Sequence, residues 1–452
     1  MPDVRGSVFV RGHVPFSKTG VSSTWGPGPL TADISRTFST VAHRRIILTL
    51  ATGLALTLGS APAMASSDPS AGEAAGVLAS VPAGEPVTVV TTTQTASGPQ
   101  ITTEVADSRS DARELIADAL DEPGVSVDVA HPISIASTLD TSSAEAPVAA
   151  AASAKPRRSN DSLRKRQWSL DKLRAEQVWR KSKGRGVVVA VIDTGVQADH
   201  PDLKGRVLKG RDFVERDRNA ADRNGHGTHV AGVIAAKAGN RRGIAGLAPK
   251  ARILPVRVLN SAGAGNTADA SRGIVWAVNK GADVINLSFA GKDLDVQMQK
   301  AVRYAVNKGV VVVAAAGNQG CSGPTTYPAA LPGVIGVAAS NRYDRIAPFS
   351  TCGPAVDVSA PGVSIRSTMI KRPAMGLPCR YGQSYCMMSG TSMASPHVAA
   401  AAAIVISRTR HRLSAAQVGD LLTTRADDIG TPGYDTSSGH GVLNIRRSLS
   451  GR

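Results

Sequence analysis

Residues 187–196 read V-V-V-A-V-I-D-T-G-V, and this stretch decides the fold. Six apolar positions in a row, flanked by Gly186 and Gly195, predict a strand over 187–192. That strand is buried on both faces, because a half-exposed strand would alternate apolar with polar residues. The same grammar recurs at 251–258, 284–289, 310–316 and 334–338. Helical periodicity fills the intervals at about 227–237, 267–280 and 294–308, and again at 393–407 and 414–425. Apolar strands alternating with helices predict an α/β fold, a doubly wound, mostly parallel sheet with helices on both faces. In such sheets reactive groups gather beyond the carboxyl ends of the strands. Asp193 directly follows the first one.

Working outward toward the amino terminus, the character of the chain changes. Residues 43–65 open with His43, Arg44 and Arg45, continue through an apolar run from Ile46 to Leu58, and end on Ala63-Met64-Ala65. A basic start, a short apolar centre and small residues at the close predict an export signal that is removed, giving a secreted, extracellular product. The polar first 40 residues fit no export logic, so translation is expected to begin near Val41. Residues 66–135 predict a small acidic α+β segment: a strand over 86–93, a helix over 107–120 and a strand over 125–135. Residues 136–158 are rich in Ala, Ser and Pro and end in Lys155-Pro156-Arg157-Arg158, which predicts a cleavable linker. Its cut is expected between Ala150 and Asp161. From 159 to 452 one catalytic domain is expected, with no further domain behind it.

Charge divides at the same place. Residues 66–158 carry 5 Lys/Arg against 13 Asp/Glu, whereas 159–452 carry 41 against 20. An acidic leader and a basic body are predicted to attract one another. Aromatic residues are only 4% of the chain, and the cations are scattered along it. Both features argue against nucleic-acid binding and for a solvated basic surface. No second apolar run is long enough to cross a membrane. The four cysteines, Cys321, Cys352, Cys379 and Cys386, predict two disulfides in an exported chain. Three connectivities are open; 379–386 with 321–352 is favoured, and no spacing supports a zinc site.

Three motifs carry chemistry. Asp193 ends its strand in V-I-D-T-G-V, His226 lies in N-G-H-G-T-H-V-A-G, and Ser392 lies in S-G-T-S-M-A-S-P-H-V-A at the start of an Ala-rich helix. A serine hydroxyl is a weak nucleophile until a neighbouring imidazole takes its proton. A carboxylate then fixes the tautomer of that imidazole and stabilises its charged form. The order Asp, His, Ser is one of three known for this constellation. Singly, each motif also reads as a helix cap or a loop; jointly they predict a hydrolase. His200 and His229 sit beside these motifs and are predicted to be structural.

V-I-D-T-G-V followed by H-P-D-L, then N-G-H-G-T-H-V-A-G, A-A-A-G-N and S-G-T-S-M-A-S-P-H-V-A, together resemble the subtilase family, over about 160–449. The spacing of one loop most resembles the thermitase branch. The resemblance implies a serine endopeptidase made as a self-processing zymogen. Asp193 would be the orienting carboxylate, His226 the base, Ser392 the nucleophile and Asn318 of A-A-A-G-N the oxyanion donor. It implies that segments 260–265, with Gly263, Ala264 and Gly265, and 288–290, with Ser288, Phe289 and Ala290, grip the substrate as added β-structure, with Gly317 close by. Where the family carries Ser-Leu-Gly this chain has Ser288-Phe289-Ala290. The extra methyl of Ala290 predicts a preference for small or medium apolar residues on the acyl side of the cut. Ala400 departs from the family's Gly and is expected to affect only helix packing.

The resemblance also implies structural calcium. Asp161, Asp202 and Asn240 would give side-chain ligands, and Lys237, Arg242 and Ile244 backbone carbonyls, an all-oxygen set that suits this cation. Arg241 and Arg242 weigh against it unless their side chains point away. Asp212, Glu215, Asp217 and Asp222 form a second acidic group, readable as an ion site or as a solvated loop. Expected partners are protein or peptide substrates and the chain's own 66–135 segment in cis, on a monomer. Two other functions compete: a catalytically silent binding protein, and an enzyme that transfers the acyl group to an amine instead of water.

Overall fold

The computed structural model describes residues 69–136 except 83, and 158–450 except 375, 376, 378, 380 and 381. The expected export signal and the interior of the expected linker lie outside the described residues. Residues 65–452 form one contact unit. Within it a central sheet of seven parallel strands carries the body. These are β5 (Val188–Asp193), β6 (Arg211–Asp212), β7 (Arg252–Arg257), β9 (Val284–Leu287), β11 (Val311–Ala315), β12 (Val334–Ser340) and β13 (Val358–Pro361), in the order β13-β12-β11-β9-β5-β7-β6.

The apolar run that decided the fold feeds two cores. Val189 and Val191 join the cluster under α2 (His226–Ala235) and α5 (Thr391–Thr409), whereas Ala190 and Ile192 join the one under α3 (Thr267–Asn279) and α4 (Val296–Asn307). Period-two side-chain alternation with both faces covered is why no polar residue interrupts this strand. Local signals set the helix ends. Asn266 and Asp295 cap α3 and α4 by accepting from Asp269 N–H at 2.8 Å and Met298 N–H at 2.6 Å. Ser414 and Gln417 form a capping box on α6 (Ala415–Thr423). Cys321 pairs with Cys352 and Cys379 with Cys386.

The N-terminal lobe is α+β as expected but has one strand and one helix more, the helix over Pro69–Val77. β1 (Val87–Thr95) and β2 (Gly98–Ala106) form an antiparallel hairpin, β3 (Val125–Val129) pairs on the other side of β1, and α1 (Arg109–Leu120) covers one face. β2 escaped the sequence reading because its apolar residues are sparse. Ile101 meets Ala268 of the body, and Val105 is exposed. Gly98 closes the turn at φ +104°, with a Cβ there falling 2.5 Å from the Tyr304 ring. The expected single strand over 125–135 is two. Beyond β3 the chain leaves the lobe's sheet, and β4 (Pro132–Ile135) pairs with the body instead.

Candidate active site

Adjacent strands β5, β9 and β11 deliver Asp193, Ser288 and the Gly317-Asn318 turn to one edge of the sheet. His226 begins α2 and Ser392 is the second residue of α5. His226 Nδ1 lies 2.8 Å from Asp193 Oδ1 and 3.0 Å from Oδ2, with both residues fully buried. A carboxylate bonded to Nδ1 fixes the ring so that Nε2 faces outward as the proton acceptor. That Nε2 is buried and has no hydrogen-bond partner among the described residues.

The Ser392 hydroxyl does not hydrogen-bond to this nitrogen. It donates instead to the Ser288 carbonyl at 2.8 Å, an acceptor just beyond the end of β9. The start of α5 is shaped to turn the Ser392 hydroxyl toward β9. Pro396 has no N–H to give the Ser392 carbonyl four residues back, and that carbonyl accepts from Ser288 Oγ at 3.1 Å. Asn286 Nδ2 donates to Ser288 Oγ, which meets Ser395 Oγ at 2.9 Å, and Ser395 returns to Asn286 Oδ1. This buried ring underpins the turn, and the sequence reading did not find it.

Asn318 Oδ1 accepts from both the N–H and the hydroxyl of Thr391 at 3.0 Å. Its orientation is thereby fixed, and its Nδ2 is buried and unpartnered among the described residues. The Ser392 N–H donates to the Ala136 carbonyl at 3.0 Å. Ala136 closes β4, which lies antiparallel between β8 (Ala264–Asn266) and β10 (Phe289–Ala290), pairing Ile133 with Gly265, Ser134 with Ala264 and Ala290, and Ile135 with Phe289. Ile135 N–H reaches the Gly263 carbonyl at 3.0 Å and Ala136 N–H the Ser288 carbonyl at 3.3 Å. Gly263 holds φ +79°, and a Cβ there would fall 2.9 Å from the Ile135 side-chain tip, so any larger residue would strain the turn and push Ile135 aside. All seven residues expected to grip a chain border this strand or the turn beside it; Gly317 itself donates to Thr391 Oγ1 at 3.2 Å.

Asp222, read as lying near the second acidic group, is half-buried and not part of a solvated loop: its carboxylate accepts from Thr194 Oγ1, Asn224 N, Gly225 N, Thr228 N and Thr228 Oγ1, at 2.6–2.9 Å. Burial pushes the carboxyl above the usual range, and those donors pull it back. It therefore ties the end of β5 to the turn bearing His226, and its place four residues before His226 was the available signal. Asp212 and Glu215 pair with Arg257, and Glu215 also with Arg223, while Asp217 accepts from Asn219 N–H at 2.7 Å. His229 is fully buried with its pKa lowered to about 3, chiefly by burial and then by His226. His200 bonds the Ser384 carbonyl at 2.9 Å. Ala400 lies wholly within α5's buried length.

The expected calcium residues meet in one loop. Asp161 accepts from Gly239 N and Asn240 N at 2.9 Å, while Asp202 accepts from Asn240 Nδ2 at 2.7 Å and Ile244 N at 2.9 Å. Both carboxylates are buried, and neither has an ion-pair partner among the described residues. Arg241 and Arg242 are exposed. No hydrogen bond among the described residues reaches the carbonyls of Lys237, Arg242 or Ile244. Two buried anionic groups beside free carbonyl oxygens fit a hard cation. Elsewhere, Asp128, His131 and Asp295 bring ligand atoms within 4.8 Å of one another.

An Asp–His pair, a serine at a helix start whose N–H holds a chain carbonyl, and an unpartnered asparagine amide define a serine peptidase site at the carboxyl edge of a parallel sheet. The subtilase family model matches residues 184–441, and the chain belongs to that family of serine peptidases. It is similar to thermitase of Thermoactinomyces vulgaris, 45% identical over 59% of this chain and 91% of that protein. It is also similar to the thermophilic serine proteinase of Bacillus sp. (strain AK1), 47% identical over 57% of this chain and 61% of that protein. The crystal structure of fervidolysin from Fervidobacterium pennivorans, a keratinolytic enzyme related to subtilisin, superposes with a TM-score of 0.69 at 28% identity, over 81% of this chain and 61% of that one. The pattern is thermitase-like.

Proposed function

We propose that this protein is a secreted serine endopeptidase made as a zymogen, and that its first substrate is the bond following Ala136. The observation that carries the reading is the Ala136 carbonyl against the Ser392 N–H at 3.0 Å, at the end of a strand zipped between β8 and β10. In this reading Ser392 Oγ turns from the Ser288 carbonyl and adds to the Ala136 carbonyl carbon, passing its proton to His226 Nε2. Asp193 stabilises the imidazolium, while Asn318 Nδ2 and the Ser392 N–H hold the oxyanion. The intermediate collapses, the amine of residue 137 leaves with the proton from His226, and water then frees the Ala136 carboxylate. The 69–136 lobe stays behind as a cleft-blocking propeptide.

This bond lies ahead of the 150–161 window that the linker composition suggested. The earlier bond is favoured because, among the described residues, its carbonyl is the one held by the Ser392 N–H. Residues 137–157 would then be trimmed in a later step, up to Arg158, whose guanidinium pairs with Asp171 at 2.7 Å. A small residue at the acyl position agrees with a pocket narrowed by Ala290, and preference for Ala or Leu over Phe and Lys is the specificity proposed. Calcium would be held by Asp161, Asp202 and Asn240 with the Lys237, Arg242 and Ile244 carbonyls, tying the 161 and 240 segments together.

Mass spectrometry of the expressed precursor tests the reading. A new amino terminus at residue 137, and labelling by a serine-directed fluorophosphonate, are expected; Ser392→Ala should abolish both. A wild-type terminus appearing only within 150–161, with no 69–136 fragment ending at Ala136, overturns the proposed first cut. Labelling that survives Ser392→Ala overturns the nucleophile.

A further inference from the structure

The cations that are scattered in sequence are gathered in space at the amino edge of the sheet, opposite the cleft. The segment ahead of β5 reads R-K-S-K-G-R-G over 180–186, the turn ahead of β7 contributes Lys250, and the end of α5 contributes Arg408 and Arg410. Lys181, Lys183, Arg185, Lys250, Arg408 and Arg410 line one concavity of about 350 Å³, and no carboxylate lines it. None of the six forms an ion pair among the described residues. Asp283, ahead of β9, accepts from Val188 N–H and faces His411 at 3.4 Å.

Three features set this apart from a solvated basic face. The segments are tied together: Lys250 N–H donates to the Lys183 carbonyl at 2.9 Å, and Ser407 Oγ to the Arg185 carbonyl at 2.8 Å. The cations also crowd one another. Lys250 is held below the usual lysine range, first by Arg185 and then by Lys183 and Arg206. Arg206 Nε, behind them, is buried without a partner among the described residues. Finally, Arg410 and His411 hold left-handed backbone, φ 54° and 57°, where glycine is the usual residue after a helix. A cation kept at a conformationally costly position points to a role for the charge.

We propose that this concavity binds a chain of phosphate groups, an inorganic polyphosphate-type polyanion. Like charges held close are relieved by a multivalent anion. The one aromatic of the wall, Trp179, is 9% exposed, donates to the Leu247 carbonyl, and lies under Lys183. It offers no platform on which a base could stack, so a phosphate chain fits better than a nucleic acid. Ser407 lies fifteen residues along α5 from Ser392, roughly 22 Å at the helical rise. A polyanion held there leaves the cleft open.

The test is fluorescence polarisation of labelled polyphosphate with the full chain, over a salt series. Arg185→Glu with Lys250→Glu and Arg410→Glu should weaken binding about 100-fold and lower the slope of log affinity on log salt by about 2. The neutral set R185Q, K250Q and R410Q should weaken it by a smaller factor. Hydrolysis of a short peptide by each set should be unchanged, which reports folding and is independent of the polyanion. Unchanged affinity in both sets overturns the proposal. So does orthophosphate competing as well as the chain, or single-stranded DNA binding as tightly as polyphosphate with the same loss in the variants.

Discussion

The N-terminal lobe and the body are built to different standards of self-sufficiency. The body closes two large cores on one sheet, with α5 buried along most of its length. The lobe has a single small core around Ala112, Ile116, Val87 and Val89, and domains of that size are marginal alone. Much of what orders the lobe belongs to the body. Gln297 Nε2 donates to the Val90 carbonyl, Tyr304 OH to the Ser97 carbonyl, and Val296 N–H to Asp128. Opposite net charges reinforce the match. Chemistry therefore resides in the body and occupancy in the lobe, and each prediction below perturbs one without the other.

The largest effect is expected at the unpartnered amide of Asn318. Asn318→Ala should lower turnover about 100- to 1000-fold with KM unchanged, the span known for one oxyanion donor of subtilisin, to which this chain is similar. Precursor cleavage should slow in proportion while the lobe stays docked. Steady-state kinetics with gel analysis of the precursor measures both, and a lobe that falls away would break the division of labour. Next comes Asp222→Asn, which puts an amide where two Thr228 donors converge. A fall of about tenfold in kcat is expected, equivalent to about 1.4 kcal/mol of misplaced Asp193–His226 geometry.

Those two residues also show what the sequence could and could not yield. Asp193, His226 and Ser392 were legible because each sits in a run whose type, strand end or helix start, is forced by local pattern. Asp222 was not, since an Asp in a polar loop looks alike whether it faces water or five donors. Ala136 is the sharper case. Nothing in P-I-S-I-A says that its strand pairs with residues more than a hundred positions away, because register is set by the partner. β2 was missed for a related reason: Ile101 meets the body, Val105 is exposed, and only Ala106 joins the lobe's own core. The basic concavity was invisible because three separate segments build it.

Calcium removal should act on the body alone. A chelator is expected to lower the melting temperature of the mature enzyme by about 5–10 °C, from about 2.7 kcal/mol of binding linkage at a hundredfold excess over Kd. Asp202→Asn should blunt that shift, as differential scanning fluorimetry would show. No shift in wild type would mean that backbone amides suffice for Asp161 and Asp202.

The smallest effect separates the lobe from the body by pH. His131, just before β4, is buried with Asp128 Oδ1 at 3.7 Å and Asp293 Oδ2 at 3.9 Å, while Asp295 caps the adjoining α4 and Thr267 Oγ1 accepts its N–H. Asp128 beside it, with Asp295 and Asp293, raises its pKa above 6.5 against the opposing cost of burial. A docked-state pKa above the free value adds stability that is complete below about 6.5 and lost as pH rises through the raised value. Asp295 is itself pushed up, chiefly by burial, so losing the imidazolium leaves carboxylates facing one another. In the uncleaved Ser392→Ala precursor, hydrogen exchange of the β4 amides should therefore quicken several-fold between pH 6 and 8, beyond the intrinsic base catalysis seen in β11. His131→Asn should flatten that difference. Equal quickening in β4 and β11 would show that the lobe's hold is indifferent to this imidazole, and that the two regions open together.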